Sequence, residues 1–284
     1  MKTVVAIYNQ NQLEKLTGKA DYFSLMVPNM ALLYETNFDI DYAISYCRKN
    51  HINFILNIAK IYLENELEQA VEFIKKYWEE KFIISDLGIF NFFKCQNHTE
   101  KVIYDAPTMI CNSSDLSLLS AYNFDAISIS NEITINDVIE IFNKTKASIY
   151  YQIFGRKLMF YSKRKLLSLY KKYRQLNFTN ENLSLKEEKR SYLIPCFENE
   201  TGFYCYRHYF ISSLSNYKQL ESLKYGFIET INLDIEALIS LLDLIHSNTL
   251  NSESIKMLCD KFKINVEDGF NYQDTIYIKE KIIQ

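Results

Sequence analysis

The sequence is short of the two residues that punctuate a backbone. Six glycines and three prolines are spread over 284 residues, so no Gly- or Pro-rich linker divides the chain. No repeat of 20–50 residues recurs either, which excludes solenoids and propellers. Long apolar runs are missing. Lys2 is followed only by the brief run Val4–Ile7 before Asn9 and Gln10, too short for a signal-peptide core, and no later stretch has the length of a membrane span. A cytoplasmic protein that does not enter membranes is the expectation.

Metal-binding patterns are missing too. The six cysteines, Cys47, Cys95, Cys111, Cys196, Cys205 and Cys259, contain no C-x-x-C pair, and no histidine stands at zinc-finger spacing. Free, partly buried thiols and no bound metal or cofactor are expected. Cys196 and Cys205 are the one pair that a hairpin could bring together. His51, His98, His208 and His246 lie far apart, and there is no Gly-rich phosphate loop, no H-E-x-x-H, no G-x-S-x-G and no evident triad. A net charge of −3 argues against a surface that grips nucleic acid on all sides, while leaving room for a local basic patch.

What is present is an alternation. Short β-branched or aromatic runs predict strands at Thr3–Ile7, Tyr22–Val27, Asn53–Ala59, Phe82–Ser85, Lys101–Tyr104, Ala126–Ser130 and Ser148–Ile153. Segments of helical period lie between them. In Leu63–Trp78, Leu67, Ala70, Val71, Ile74 and Trp78 share a face, with Glu64, Glu68, Glu72, Lys75 and Lys76 opposite. Such a series implies parallel strands joined by right-handed crossovers, and seven in a row favour an α/β, TIM-barrel-like (β/α) barrel over an open sheet. Residues 187–212 break the rhythm: Tyr192–Phe197 and Gly202–Tyr206 predict an inserted β-hairpin. Lys224–Asn232 and Ile235–His246 resume it. From about Asn251 a helix and an extended end, Phe270–Ile278, form a C-terminal extension of what is expected to be one domain.

Barrel chemistry sits at the C-terminal ends of strands, and three places qualify. Asp86-Leu87-Gly88 offers a carboxylate, although Asp86 as cap of the next helix is the commoner role for such a residue. After Ala126–Ser130 come Asn131 and Glu132. Thr134 and Asp137 form a T-x-x-D capping box, whereas Glu132 lies outside it and is the best single candidate for a site carboxylate. The third place is Gly155–Arg174, which holds eight Lys/Arg, with no Asp or Glu between Gly155 and Asn180. Read as a helix from Ser162, Leu166, Leu169, Tyr170 and Tyr173 fall on one face and Arg164, Lys165, Lys171 and Lys172 on the other. A solvated face and an anion-binding face, with RNA as the obvious anion, are equally good readings.

At these three places the sequence resembles the collagenase-like peptidase family, U32. The family's strand ending in Asp-Leu-Gly is matched by Ser85–Gly88, and its strand, Arg-Glu-Leu and helix by Ser130–Val138. Its strand, His-Gly and Ser-Lys/Gly-Arg are matched by Gln152–Gly155 and Tyr161–Arg164. The ending Asp268–Tyr277 and the hairpin are similar to those of a shorter branch that acts in tRNA hydroxylation. Asn131 stands in place of the family's Arg and Phe154 in place of its His, and no cysteines near Gly155–Arg164 match the cluster ligands of the longer members.

The resemblance implies a tRNA-modification protein supporting 5-hydroxylation of the anticodon wobble uridine. Its partners would be tRNA and a longer U32 paralogue carrying an iron–sulfur cluster, and prephenate would be a co-substrate. Glu132 and Asp86 would serve the chemistry. Arg156, Lys163, Arg164 and Asn131 would hold substrate or an anion. These departures suggest a non-catalytic or partner-dependent subunit. A collagenase-type peptidase and a barrel scaffold without its own activity are the alternatives.

Overall fold

Strands that alternate apolar residues inward and outward need both faces covered, and here they close on themselves. The computed structural model describes residues 1–32, 38–106, 109–177, 183–189 and 191–273. In the first half β1 (Lys2–Ile7), α1 (Gln10–Lys15), β2 (Tyr22–Met26), α2 (Ile40–Lys49), β3 (Phe54–Asn57), α3 (Glu64–Lys76), β4 (Phe82–Ile84), α4 (Leu87–Cys95), β5 (Val102–Tyr104), α5 (Ser113–Ser120), β6 (Ala126–Ser128), α6 (Ile135–Thr145) and β7 (Ile149–Gly155) alternate. Then follow β8 (Leu158–Ser162), α7 (Leu166–Arg174), β9 (Ser184–Lys186), β10 (Leu193–Asn199), β11 (Gly202–Tyr206), β12 (Phe210–Ser212), α8 (Tyr217–Leu220), β13 (Tyr225–Ile228), α9 (Ile235–His246), α10 (Ser252–Phe262) and β14 (Val266–Glu267).

Strands β1 to β7 are parallel neighbours in chain order, and β13 closes the ring by pairing in parallel with both β7 and β1. The result is a closed barrel of eight parallel strands with helices around it. The predicted barrel is therefore present, with six of its eight strands shorter than the apolar runs and β1 and β7 each longer by a residue. The box at Thr134 forms as expected: Asp137 N donates to the Thr134 hydroxyl at 3.2 Å and Thr134 N to the Asp137 carboxylate at 2.9 Å.

Inside the barrel Val4, Ile55, Ile83, Ile103, Ala126, Tyr150 and Tyr225 make one dry layer. Below it, at the N-terminal ends, Asp125 accepts from Lys81 (2.6 Å), Lys224 (3.0 Å) and the Tyr225 hydroxyl (2.9 Å), a paired charge cluster that plugs the bottom. The larger core lies between the outer strand faces and the helices.

The hairpin β10–β11 is not alone. It belongs to a four-stranded antiparallel sheet in the order β8-β11-β10-β9, so the inserted unit starts at Leu158. The periodicity over Gly155–Arg174 misled here: Leu158–Ser162 is a strand, and the helix starts at Leu166 instead of Ser162. α7 packs Leu167 on Ile194, Cys196, Phe203 and Cys205, and the Glu198 carboxylate accepts from Leu167 N (2.7 Å) and Ser168 N (3.0 Å) at its first turn. Cys196 and Cys205 stand directly opposite each other across β10–β11 as free thiols.

The other sheet face puts Tyr204 and Tyr206 against Ala6, Tyr8, Met26 and Leu32, so the insert roofs the C-terminal end of the barrel. Glu66 fastens it there, accepting from Lys163 of the insert at 2.7 Å and from Lys60 at 3.0 Å. At the chain's end β14 pairs with β12, which in turn runs antiparallel to β7. Residues 269–272 form a turn where an extended end was expected. There Asn271 is buried, its side chain donating to Ser212 O at 2.9 Å. The rest of that expected strand, and residues 274–277 of the closing motif, lie outside the described residues.

Candidate active site at the barrel mouth

In a strand, residues two apart face the same way. Two positions beyond the dry layer, six of the strands therefore aim a second residue inward: Asn57, Ser85, Asp105, Ser128, Gln152 and Phe227. A third tier is formed by Tyr8 and Glu229. All eight line a half-open cavity of about 750 Å³ between barrel and insert.

Two carboxyls dominate its floor. Asp105 follows β5, and burial pushes its pKa up to about 6 against the pull of the Ser128 hydroxyl. Glu229 follows β13, and burial pushes it up to about 7, with Asp105 adding charge repulsion. The Tyr8 hydroxyl donates to both Glu229 oxygens, at 2.9 and 3.0 Å, and Ile231 N donates at 3.1 Å; these bonds favour the carboxylate but do not offset burial. Tyr150 presents a buried hydroxyl with no hydrogen-bond partner among the described residues. Two acids whose pKa values fall near neutrality in one cavity can give and take protons at physiological pH.

Gly155 fixes the spacing of this floor. Its φ is +118°, and a Cβ there would lie 2.3 Å from the carbonyl oxygen of Glu229. Only glycine lets β7 and β13 approach so closely at the mouth. Glu229 N donates to Phe154 O at 2.9 Å across this junction.

The sequence-predicted residues share this end of the barrel but not one role. Asp86 reaches the cavity wall, yet its carboxylate caps α4, accepting from Gly88 N (2.7 Å) and Ile89 N (3.0 Å). Asn131 is buried at the wall and donates to Gln152 O at 2.8 Å. Glu132 points outward, half exposed, with Lys157 Nζ 3.5 Å away. Arg156 lines the cavity with its guanidinium over the Phe210 ring and donates to Arg207 O at 2.7 Å. Lys163 is paired with Glu66, and Arg164 is exposed on the insert. Of the four expected anion holders, Asn131 and Arg156 share the cavity, while Lys163 and Arg164 lie outside its lining. Asp105, Glu229, Tyr8, Tyr150 and Lys157 were missed.

Among the described residues, no group of three or more His, Cys, Asp or Glu gathers to hold a metal, and no helix is long and apolar enough to cross a membrane. Among the described residues no His or Cys lines the cavity, so neither Ser85 nor Ser128 has an imidazole beside it.

A closed parallel barrel with its site at the C-terminal mouth defines the class of protein. Residues 28–234 match the model of peptidase family U32, most of the chain, and the protein belongs to that family. Among solved structures, the U32 peptidase Mk0906 is similar with a TM-score of 0.52 and 8% identity, over 81% of this chain and 92% of that one. At that identity the likeness speaks for the fold alone. No curated protein matches the sequence.

Proposed function

We propose that this U32-type protein is a cytoplasmic tRNA-modification component that supports 5-hydroxylation of the anticodon wobble uridine. The observation that carries the reading is the mouth itself: a cavity of about 750 Å³ whose floor is a pair of near-neutral acids, Asp105 and Glu229. A space of that size suits a small metabolite or a single extruded base. A metabolite such as prephenate would occupy it as co-substrate, and the iron–sulfur chemistry of the modification would sit in a longer U32 paralogue. Asn131 and Arg156 line the cavity and would contact the ligand, whereas Glu132, Lys163 and Arg164 lie outside its lining. The resemblance of the ending Asp268–Tyr277 and of the hairpin to the shorter branch also favours this reading.

The peptidase reading in the family's name is weaker, because the cavity offers no His or Cys beside its serines. Mass spectrometry of tRNA nucleosides from cells lacking the gene is the test. The expected result is loss of 5-hydroxyuridine derivatives, restored by the wild-type gene but not by Asp105→Asn or Glu229→Gln. Unchanged nucleosides in the deletion strain would end the proposal.

A further inference from the structure

Between β7 and β8 the chain passes from barrel to insert through Arg156 and Lys157, and both side chains line the cavity. Lys157 is 4% exposed, and its ammonium makes no hydrogen bond among the described residues. Its nearest acid is Glu132, with an oxygen at 3.5 Å and a side chain half in solvent. The neighbouring Nε atoms of Arg156 and Arg207 are buried without partners as well. Arg156 spends its other described hydrogen bond on the neutral carbonyl of Arg207, and Arg207 spends one on the Tyr209 hydroxyl at 2.9 Å. Arg207 N in turn donates to Lys157 O at 2.9 Å, holding the three cations together. A buried ammonium whose carboxylate partner stands 3.5 Å away and half in solvent is incompletely compensated, and a ligand oxyanion in the cavity would supply the remaining negative charge.

We propose that Lys157 and Arg156 form an anion subsite that takes the oxyanion group, carboxylate or phosphate, of a small ligand held in the mouth. Lys157 is the new element. Lys163 has its carboxylate already, and Arg164 is exposed on the insert. Arg156 supplies planar donors beside a point charge, a pairing suited to an oxyanion. The burial that lowers the Lys157 amine to about 8 also makes it sensitive to a ligand, because an arriving anion restores the charged form. Anion binding near that pH therefore takes up a proton. The inference rests on the mouth being the working site and not on tRNA being the substrate.

Calorimetric titration of the purified full-length protein with sodium phosphate, and separately with sodium malonate, at fixed ionic strength tests it. The expected result is saturable one-to-one binding with proton uptake near pH 8. Lys157→Met should lose at least tenfold in affinity, Arg156→Gln should lose several-fold, and Lys157→Arg should retain binding. Lys157→Met should melt no lower than wild type, because it removes a buried charge whose carboxylate partner is half in solvent. Binding of phosphate alone would assign a phosphoryl-bearing ligand, and binding of malonate alone a carboxylic acid. No saturable binding of either anion, or equal affinity in wild type, Lys157→Met and Arg156→Gln, overturns the subsite. These measurements need no tRNA, so their failure is separable from an unchanged nucleoside profile.

Discussion

Glu229 illustrates how burial at a barrel mouth shifts the titration of a common side chain. Burial holds its proton up to about pH 7, although Tyr8 and Ile231 donate to the carboxylate. The unfolded chain would release that proton near 4.5, so between those values the folded state binds more protons. Its contribution to stability is greatest below about 4.5 and falls as pH rises to about 7. Glu229→Gln cannot ionise, and its stability should stay flatter across that window. The difference should amount to on the order of 3 kcal/mol between the two ends. Denaturant melts of both proteins at several pH values measure it. Parallel pH profiles would mean that Glu229 ionises normally. Asp105, pushed up to about 6, adds a smaller slope of the same sign.

The insert, β8 to β11 with α7, is held over the mouth by few polar contacts. Burial alone would raise the Glu66 carboxyl, but the hydrogen bonds from Lys163, Leu63 N and Lys60 outweigh it and hold it down at about 2. Glu66 also completes the first turn of α3, accepting from Leu63 N at 2.8 Å. Its contribution is therefore present above about pH 4.5 and lost as pH falls toward 2. Glu66→Gln should weaken the strut at neutral pH. Amide exchange would then quicken in Leu158–Arg174 while the barrel strands keep their protection. Equal protection of the insert in both proteins would show that the apolar contacts of Tyr204 and Tyr206 suffice to hold it.

At the scale of the whole molecule, the proposed tRNA would need a surface outside the mouth on which to dock. α7 lies on the outside of the insert with Tyr173 82% exposed between the exposed Lys172 and Arg174, and Tyr170 half exposed. Aromatic faces among cations suit single-stranded nucleic acid. Lys165, by contrast, is tied to Glu200 at 2.7 Å and is a poorer probe. If tRNA docks there, Tyr173→Ala should weaken binding, and Lys172→Gln should reduce the salt dependence by about one counterion. Titrations with unmodified tRNA at two salt concentrations read both. Unchanged affinity and slope would make α7 a solvated face.

The sequence by itself determined the alternation, and with it the barrel, because strand and helix periods are local and each short apolar run must be covered on both sides. It also determined the capping roles of Thr134 and Asp137, which involve neighbours a single turn apart. Asp86 was legible as a cap for the same reason. Asp105 and Glu229 carried a signal that went unread: each stands two places past an inward residue of a strand, Ile103 and Phe227, at its C-terminal end. That rule selects a tier of positions but not which of them will be covered. The cover came from the insert, whose strand β8 hid inside a segment that scans equally well as helix. Only the tertiary structure could decide that Lys157 is buried while Glu132, the favoured carboxylate, faces outward. Whether a charge lies in a cavity or in water depends on contacts between residues far apart in the chain, and those contacts set the pKa values on which the proposed chemistry depends.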